Sequence, residues 1–336
     1  MQEILQRYED LPGCIMNTGA RRIFFVHGRS LEKFRDFRDC LDTLEGIELV
    51  DFTDFTPNPK LEGAEKAAGL AGSCGLILAV GGGSAIDTAK YARLKNPGLP
   101  FVAIPTTAGS GSEATRFAVL YKDGKKLSVT DDIMIPDAVV LDARFLKYLP
   151  EYHRKSSALD AFCHSLESFW SVNANDESRK YSSKALSEIT AMLEGWPSTY
   201  DAGRMLMASY TAGKAINIAQ TTAGHAMCYK ITGLFGTAHG HSAAMCCRVL
   251  FGWLCKHSNL PLLRDIASSM SCSSPEEAAE KFSGIFSRMS LEIPRASWND
   301  IEELSSSVNP ERLKNFPVNL DHETITALYR EILKVS

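Results

Sequence analysis

Four side chains of the types that bind divalent metals stand in uncharged parts of this chain of 336 residues. Asp160 and His164 lie four positions apart in ALDAFCHSLESFW, and on a helix that spacing places both on one face. His225 and His239 lie in TTAGHAMCYKITGLFGTAHGHSAAM, which is rich in Ala, Gly and Met. One carboxylate and three imidazoles can form a four-ligand shell for a divalent metal. The alternative is that the imidazoles are core side chains bonded to backbone carbonyls, and Asp160 and His164 then need a separate explanation.

A glycine-rich segment, ILAVGGGSAIDTAKYA, joins a predicted strand to a predicted helix. Its glycines allow the backbone to approach a ligand, and the helix start offers free N–H groups and the positive end of the dipole. The pattern is neither G-x-G-x-x-G nor a Walker loop, and a tight turn without a ligand is the alternative. The candidate cofactor-binding residues here are Gly82, Gly83, Ser84 and Asp87.

A second segment, FVAIPTTAGSGSEAT, also leaves a predicted strand and is dense in hydroxyl side chains and glycine. Such clusters are usually turns when they occur alone. Two of them at the carboxyl ends of neighbouring parallel strands lie where open α/β sheets bind nucleotides. We therefore predict that Thr106, Thr107, Ser110 and Thr115 contribute to a dinucleotide site.

The elements that must position these residues divide the chain into two parts. Over residues 21–150, β-branched runs alternate with helical patterns, which predicts βαβ units and a mainly parallel sheet, with a hairpin at Asp123-Gly124. From residue 151 the apolar residues recur at helical spacing. The prediction is an α/β Rossmann-like domain over residues 1–150 and an all-helical metal and substrate domain over residues 151–336.

Composition excludes several classes of protein. The net charge of −4 argues against non-specific nucleic-acid binding, and no apolar run reaches transmembrane length. The N-terminal segment MQEILQRYEDLPG lacks the apolar core of a signal peptide. The nine cysteines are odd in number and form no C-x-x-C pair, which indicates reduced thiols in a cytoplasmic protein.

The segments GGGSAIDTAK, IPTTAGSGSEAT, LDAFCHSLE and AGHAMCYKITGLFGTAHGHS together resemble the iron-containing (group III) alcohol dehydrogenases. The resemblance covers about residues 21–260 and implies a dinucleotide domain followed by a helical metal domain. It also implies a metal bound by Asp160, His164, His225 and His239, with Fe(II) favoured and Zn(II) possible, and a homodimer.

The chain departs from the family pattern at a residue that bears on proton transfer. Many members carry another histidine four positions after the third ligand, and this chain has Tyr229 there. Tyr229, His241 or a water molecule is therefore the candidate proton donor.

A second departure bears on the choice of nucleotide. Members that prefer NAD tend to have an acidic residue after the first strand, where this chain has His27-Gly28-Arg29-Ser30. Without a carboxylate to repel it, and with Arg29 near Gly28, a 2′-phosphate can be accommodated, which favours NADPH or the use of both NADPH and NADH. Asn58 and Lys126 match further family cofactor positions.

Charged and polar residues near His225 in the sequence narrow the range of possible substrates. Lys214 and Asn217 precede His225 by eleven and eight residues, which returns them to within about 20° and about 80° of its helical face, and Lys230 follows it by five. These side chains either extend to solvent or form a clamp for an anionic group on the substrate. The surrounding pattern resembles the phosphonoacetaldehyde reductase branch, which implies the reduction of phosphonoacetaldehyde to 2-hydroxyethylphosphonate.

Other functions remain open from the sequence alone. They are a reductase of neutral aldehydes or an alcohol or polyol dehydrogenase of the same family, a lyase resembling dehydroquinate synthase, and a non-catalytic nucleotide-binding protein. The intact set of four candidate ligands disfavours the last.

Overall fold

The structure is a computed structural model in which residues 2–335 are described. The chain divides into two compact units, Met1–Leu149 and Pro150–Ser336. The first is built on a parallel sheet and the second is mostly helical, which confirms the predicted fold class.

The sheet of the first unit has the strand order β1-β8-β5-β4-β2-β3, and all of its neighbouring strands run parallel. Its central strands read as continuous apolar runs because they are buried on both faces. The strands are β1 (Glu3–Leu5), β2 (Arg22–His27), β3 (Glu48–Phe52), β4 (Leu76–Gly81), β5 (Phe101–Pro105) and β8 (Ala138–Val140).

Helices of the first unit connect these strands as the alternating pattern predicts. Small apolar residues of the fourth helix, Ala85, Ala89 and Ala92, are buried, which allows close packing of that helix. The helices are α1 (Leu11–Asn17), α2 (Arg35–Asp42), α3 (Leu61–Ala71) and α4 (Gly83–Lys95).

Two features at the periphery of the first unit complete it. The hairpin predicted at Asp123-Gly124 is present as the antiparallel pair β6 (Phe117–Lys122) and β7 (Lys125–Thr130). Strand β1 was not predicted, because three residues are too few to show an alternating pattern. It pairs with β8 at the edge of the sheet.

The second unit is organised around a long helix, α5, whose residues from Ala158 to Trp170 are all buried. This helix packs against α6, α7 and α9, so its polar side chains in that stretch face other helices. The helices are α5 (Glu151–Trp170), α6 (Asp176–Glu194), α7 (Ala202–Ala219), α8 (Ala223–Phe235), α9 (His239–His257), α10 (Leu262–Ser269), α11 (Pro275–Arg288), α12 (Trp298–Ser307), α13 (Pro310–Leu313) and α14 (His322–Ile332).

The prediction that this unit is all-helical needs one correction. Strands β9 (Arg295–Ala296) and β10 (Lys334–Val335) pair in parallel over two residues each. A pairing this short leaves no periodic signal in the sequence. Across residues 2–335, none of the helices has both the length and the hydropathy needed to cross a lipid bilayer. All nine cysteines are free thiols.

Candidate metal and cofactor sites

The four predicted metal ligands come together in the second unit. Asp160 Oδ1 lies 3.4 Å from His225 Nε2, 3.8 Å from His239 Nε2 and 4.0 Å from His164 Nε2. Helix α5 supplies Asp160 and His164, α8 supplies His225, and His239 is the first residue of α9. The rings of His164 and His225 stack with their centres 4.6 Å apart.

These atoms fit a divalent metal. Asp160 Oδ1 and His225 Nε2 are buried and have no hydrogen-bond partner among residues 2–335. Ligand bonds of about 2.1 Å in a tetrahedral shell place neighbouring ligand atoms about 3.4 Å apart, close to the separations observed. Buried polar atoms without partners are costly, and a bound cation would satisfy both of them.

Glu167, about two turns further along α5 on the same face as Asp160, fixes the orientation of His225. Its Oε2 accepts a short hydrogen bond from His225 Nδ1, so the Nε2 of that ring is directed toward Asp160. Its Oε1 accepts hydrogen bonds from Thr222 Oγ1 at 2.5 Å and from the backbone N–H of Gly224 at 2.8 Å. A carboxylate behind a ligating imidazole selects the tautomer and raises the basicity of the ligand.

The electrostatics of the cluster couple its carboxylates and imidazoles. Burial alone would raise the pKa of Asp160, but His164, His239 and His225 outweigh it and hold that pKa well below its ordinary value. Burial alone would lower the pKa of His225, but the carboxylates of Glu167 and Asp160 outweigh the effect of burial and raise that pKa to about 9. The site therefore attracts positive charge strongly.

A close helix approach positions His239. A Cβ atom at Gly240 would lie 2.1 Å from the carbonyl oxygen of Ser156 and 2.6 Å from Asp160 Cβ. Only glycine lets the start of α9 approach α5 this closely. The side chain of His239 is 39% exposed, whereas those of His164 and His225 are almost fully buried, so the cluster is accessible on the His239 side.

Tyr229, a candidate proton donor, lies beside the cluster. Its ring stacks on His239 with the ring centres 5.5 Å apart. Arg312 Nη1 donates a hydrogen bond of 3.0 Å to the Tyr229 hydroxyl, and the guanidinium carbon lies 5.1 Å from the centre of the ring.

His241, the other candidate proton donor, has different surroundings. Its Nδ1 lies 3.3 Å from the Tyr152 hydroxyl, its backbone N–H donates to Ser156 Oγ, and its ring lies against Phe286. Burial lowers its pKa to about 4, so the ring is neutral at neutral pH. The His241 ring thus has Tyr152 and Phe286 among its neighbours.

The three predicted substrate residues are not brought together. Lys214 Nζ lies 4.9 Å from the centre of the Tyr181 ring on α6. Lys230 Nζ forms an ion pair of 2.6 Å with Glu303, and the Lys230 side chain is 42% exposed. Asn217 is half-buried on α7.

In the first unit, the structure brings the two predicted cofactor loops into contact. A Cβ atom at Gly82 would lie 3.3 Å from the Thr107 side chain, and one at Gly83 would lie 3.2 Å from Ser110. The backbone N–H of Thr106 donates to the carbonyl of Gly81 at the ends of the adjacent strands β4 and β5. Gly82 caps α4 without a side-chain hydrogen bond, so the first N–H groups of that helix are available to an anion.

Two of the predicted cofactor residues brace these loops from within. Asp87 accepts hydrogen bonds from Ser112 Oγ at 2.5 Å and from the backbone N–H of Val119 at 2.9 Å. Thr115 Oγ1 accepts a hydrogen bond of 2.9 Å from the buried Lys90. Ser84 is half-buried in the first turn of α4.

The sequence predicts no carboxylate at the end of β2, but the structure places one there. Asp51 of the neighbouring strand β3 lies 2.9 Å from His27 Nε2 and 3.6 Å from Arg38 Nη1. A single-strand motif could not reveal it, because the carboxylate comes from another strand. Gly28 precedes a short 3-10 helix, Arg29–Lys33, in which Arg29 is solvent-exposed.

Asn58 and Lys126, the two looser cofactor assignments, lie near the hairpin. Asn58 adopts a left-handed conformation with φ 60° and lines an open cleft of about 490 Å³ together with Lys60, Tyr121 and Gly124. Lys126 stands opposite Tyr121 in the hairpin register and lies outside the lining of that cleft.

Sequence reasoning missed two residues next to the metal cluster. Glu167 follows Asp160 by seven positions on the same helical face, and apart from His164 it is the one acidic or basic residue between Asp160 and the end of α5, which was a usable signal. Arg312 is 83 positions from Tyr229 in the chain, and no spacing rule connects the two.

Two family models match this chain. The model described as iron-containing alcohol dehydrogenase matches residues 5–143, and the one described as the C-terminal part of the Fe-containing alcohol dehydrogenase family matches residues 155–333.

Among curated proteins, the long-chain-alcohol dehydrogenase 1 of Geobacillus thermodenitrificans is 33% identical over 59% of this chain and 57% of its own length. The phosphonoacetaldehyde reductase of Streptomyces viridochromogenes is 33% identical over 55% of this chain and 53% of its own length. The chain thus spans about half the length of the curated relatives it matches.

Solved structures share the fold over nearly the whole chain. The sulfoacetaldehyde reductase of Bifidobacterium kashiwanohense, in complex with NAD+, superposes with a TM-score of 0.91 at 21% identity, covering 98% of this chain and 96% of that one. The iron-containing alcohol dehydrogenase of Thermotoga maritima superposes with a TM-score of 0.84 at 25% identity, covering 99% and 98%.

Proposed function

The chain belongs to the iron-containing alcohol dehydrogenase family, and we propose that it is a metal-dependent NAD(P)H oxidoreductase that reduces a small aldehyde to a primary alcohol. Phosphonoacetaldehyde, which would give 2-hydroxyethylphosphonate, is the first substrate to test. The observation that supports this proposal best is the convergence of His164, His225 and His239 on Asp160 Oδ1.

The residues of this chain take separate roles in the proposed reaction. Asp160, His164, His225 and His239 would hold the metal, with Fe(II) favoured by the family and Zn(II) suited by the same ligands. A bound divalent metal supplies the Lewis acidity that polarises a carbonyl oxygen. Glu167 keeps the Nε2 of His225 directed at the site.

Tyr229 is the proton donor in this proposal. Its hydroxyl belongs to a ring that stacks on His239, at the exposed side of the cluster. His241 lacks these contacts and is neutral at neutral pH, which makes it the weaker candidate.

The loops of the first unit would bind the nicotinamide cofactor, which supplies the hydride. The free N–H groups at the start of α4 suit a pyrophosphate, and the neighbouring Thr106, Thr107 and Ser110 offer hydroxyl donors. At the end of β2, Asp51 can accept ribose hydroxyls, while Arg29 and Arg38 can attract a 2′-phosphate. We therefore propose that both NADH and NADPH are used.

Two relatives act on aldehydes that carry an anionic group, the phosphonoacetaldehyde reductase and the sulfoacetaldehyde reductase named above. The long-chain-alcohol dehydrogenase is equally identical in sequence, and it supports a second candidate function, the oxidation of an uncharged alcohol. The homodimer implied by the family is part of the proposal and is tested by light scattering.

The test combines metal analysis with a nucleotide-consumption screen. We expect the purified protein to contain iron or zinc at about one ion per chain and to oxidise NADPH or NADH when a short aldehyde is added. His225→Ala should lose the metal and lower kcat/KM by at least about 1000-fold, because a buried ligand is removed. A His225→Ala variant with full activity would contradict the proposed mechanism. His257→Ala, on the exposed end of α9, is the control.

A further inference from the structure

Arg312 places a positive charge beside Tyr229, whose ring stacks on His239, the accessible member of the cluster. We propose that Arg312 determines substrate specificity by binding an anionic group, such as a phosphonate, sulfonate or carboxylate, at the end of the aldehyde remote from its carbonyl. The inference rests on the proposed reductase function and names the substrate class of that same site. It assigns to Arg312 the role that the sequence had suggested for Lys214 and Lys230.

The first argument is proximity. The guanidinium carbon of Arg312 lies 5.1 Å from the centre of the Tyr229 ring, which itself lies 5.5 Å from the centre of the His239 ring. The guanidinium therefore cannot be farther from the His239 ring than the sum of those two distances. A two-carbon aldehyde whose carbonyl lies at the cluster carries its anionic group only a few bonds away, and each bond adds about 1.5 Å. Its anionic group therefore lies at a distance from the cluster that the guanidinium of Arg312 can serve.

The second argument is charge. Among residues 2–335, Arg312 has no carboxylate partner, and its side chain donates a hydrogen bond to the hydroxyl of Tyr229. The neighbouring cations are occupied: Lys230 pairs with Glu303, and Lys314 pairs with Glu311. A half-buried guanidinium with unused N–H groups suits an oxyanion, which it can bind through two parallel hydrogen bonds.

The third argument is preorganisation. Arg312 lies on the single turn α13, which is fixed at both ends. Asn309 caps its start by accepting a hydrogen bond from the backbone N–H of Glu311. After its end, Asn315 donates to Gln220 Oε1 and to the carbonyl of Thr221, and accepts from Asn173 Nδ2. A cation held in this way loses little conformational freedom on binding.

Lys214 is less suitable for the same role. Its ammonium group lies over the Tyr181 ring on α6, where it already has a cation–π partner. A lysine also provides a point charge on a flexible chain, whereas the planar guanidinium of Arg312 matches the geometry of a phosphonate or a carboxylate.

The experiment compares kcat/KM for phosphonoacetaldehyde and sulfoacetaldehyde with that for propanal in the metal-loaded enzyme. Arg312→Ala should lower the ratio of anionic to neutral kcat/KM by about 10- to 100-fold, and Arg312→Lys should restore part of it. The control is Lys314→Ala, which removes a positive charge two positions away on an exposed side chain and should leave the ratio unchanged. An equal loss for both aldehyde classes would mean that Arg312 only positions Tyr229, and would overturn the inference.

A binding measurement separates this inference from the proposed function. Calorimetry with ethylphosphonate, which cannot be reduced, should give a Kd that rises about 10- to 100-fold in Arg312→Ala and is unchanged in Lys314→Ala. The metal content of the variants should equal that of the wild type. If no aldehyde is reduced, the proposed function fails, yet this binding difference still tests Arg312. Equal Kd values in the two variants, or no binding to the wild type, would overturn the role of Arg312.

Discussion

Glu167 supports the candidate metal cluster without being one of its four candidate ligands. Its two oxygens hold His225 from behind and bind the backbone at the start of α8, so one carboxylate fixes both the ring and the turn that carries it. Among side chains near the cluster it is the most completely buried acid, with no exposed surface. A group in this position acts through the ligand that it orients.

We predict that Glu167→Gln weakens metal binding by about 10- to 100-fold, because an amide holds the imidazole less firmly and selects its tautomer less strictly. The measurement is competition with a chelator of known affinity, read out as metal content. Glu280→Gln, which changes an exposed acid on α11, should bind metal as the wild type does. Unchanged affinity in Glu167→Gln would show that the contact is dispensable.

For individual residues, spacing in the sequence predicted site members only when they lie on one helix or on helices adjacent in the chain. Asp160 and His164 share a face of α5, and the chemistry of their side chains made them recognisable. Arg312 is brought to Tyr229 by the packing of α13 against α8, and that contact depends on tertiary structure. Lys214 was singled out by its helical phase relative to His225, but Lys214 lies on α7 and His225 on α8, so the break between these helices ends that phase relation.

Helices α5 and α9 illustrate how an element positions a candidate ligand. His239 begins α9, and the next residue, Gly240, lies against the backbone of Ser156 on α5. The distance between His239 and Asp160 is therefore set by how closely the backbones of α9 and α5 approach each other.

We predict that Gly240→Ala lowers the free energy of unfolding by about 1–3 kcal/mol and reduces metal affinity, because the new methyl group would push α9 away from α5. The measurements are urea unfolding and metal content.

Gly252→Ala is the matched control in the same helix, since a Cβ atom there meets no heavy atom within 4 Å. It should stabilise α9 by about 0.5–1 kcal/mol, because alanine is the better helix former. If the two variants unfold alike, the close approach does not control the stability of α9.

The elements themselves were largely predictable. Long periodic helices and buried strands carry strong signals, and the hairpin at Asp123-Gly124 was correctly predicted. The short strands β1, β9 and β10 were missed because two or three residues are too few to leave a periodic signal. Asp51 was missed because its strand, β3, becomes a neighbour of β2 only in the folded sheet.

The stability of the molecule should depend on pH through Glu113 in the first unit. Both of its carboxylate oxygens are buried and lack a hydrogen-bond partner among residues 2–335. Burial raises its pKa from 4.5 to about 7, with Asp87 adding to the rise and Lys90 opposing it. The folded protein therefore retains a proton that the unfolded chain releases between these pH values.

We predict that the free energy of unfolding falls as the pH rises from about 4.5 to about 7, by an amount on the order of 1 to 3 kcal/mol attributable to Glu113. Glu113→Gln should remove this component and be more stable than the wild type at pH 8, as measured by denaturant unfolding at several pH values. Glu45→Gln, at an exposed position, should keep the wild-type profile. Identical profiles for the wild type and Glu113→Gln would contradict the prediction.

The convergence of three helices on Asp160 also has a kinetic meaning. The four candidate ligands span residues 160 to 239, so the complete set exists only after α5, α8 and α9 have packed together. Contacts between segments this far apart in the chain form late, because the intervening loops must first be closed. The rate of metal binding during refolding should therefore report when the tertiary packing of the helical unit is complete, rather than when its helices first form.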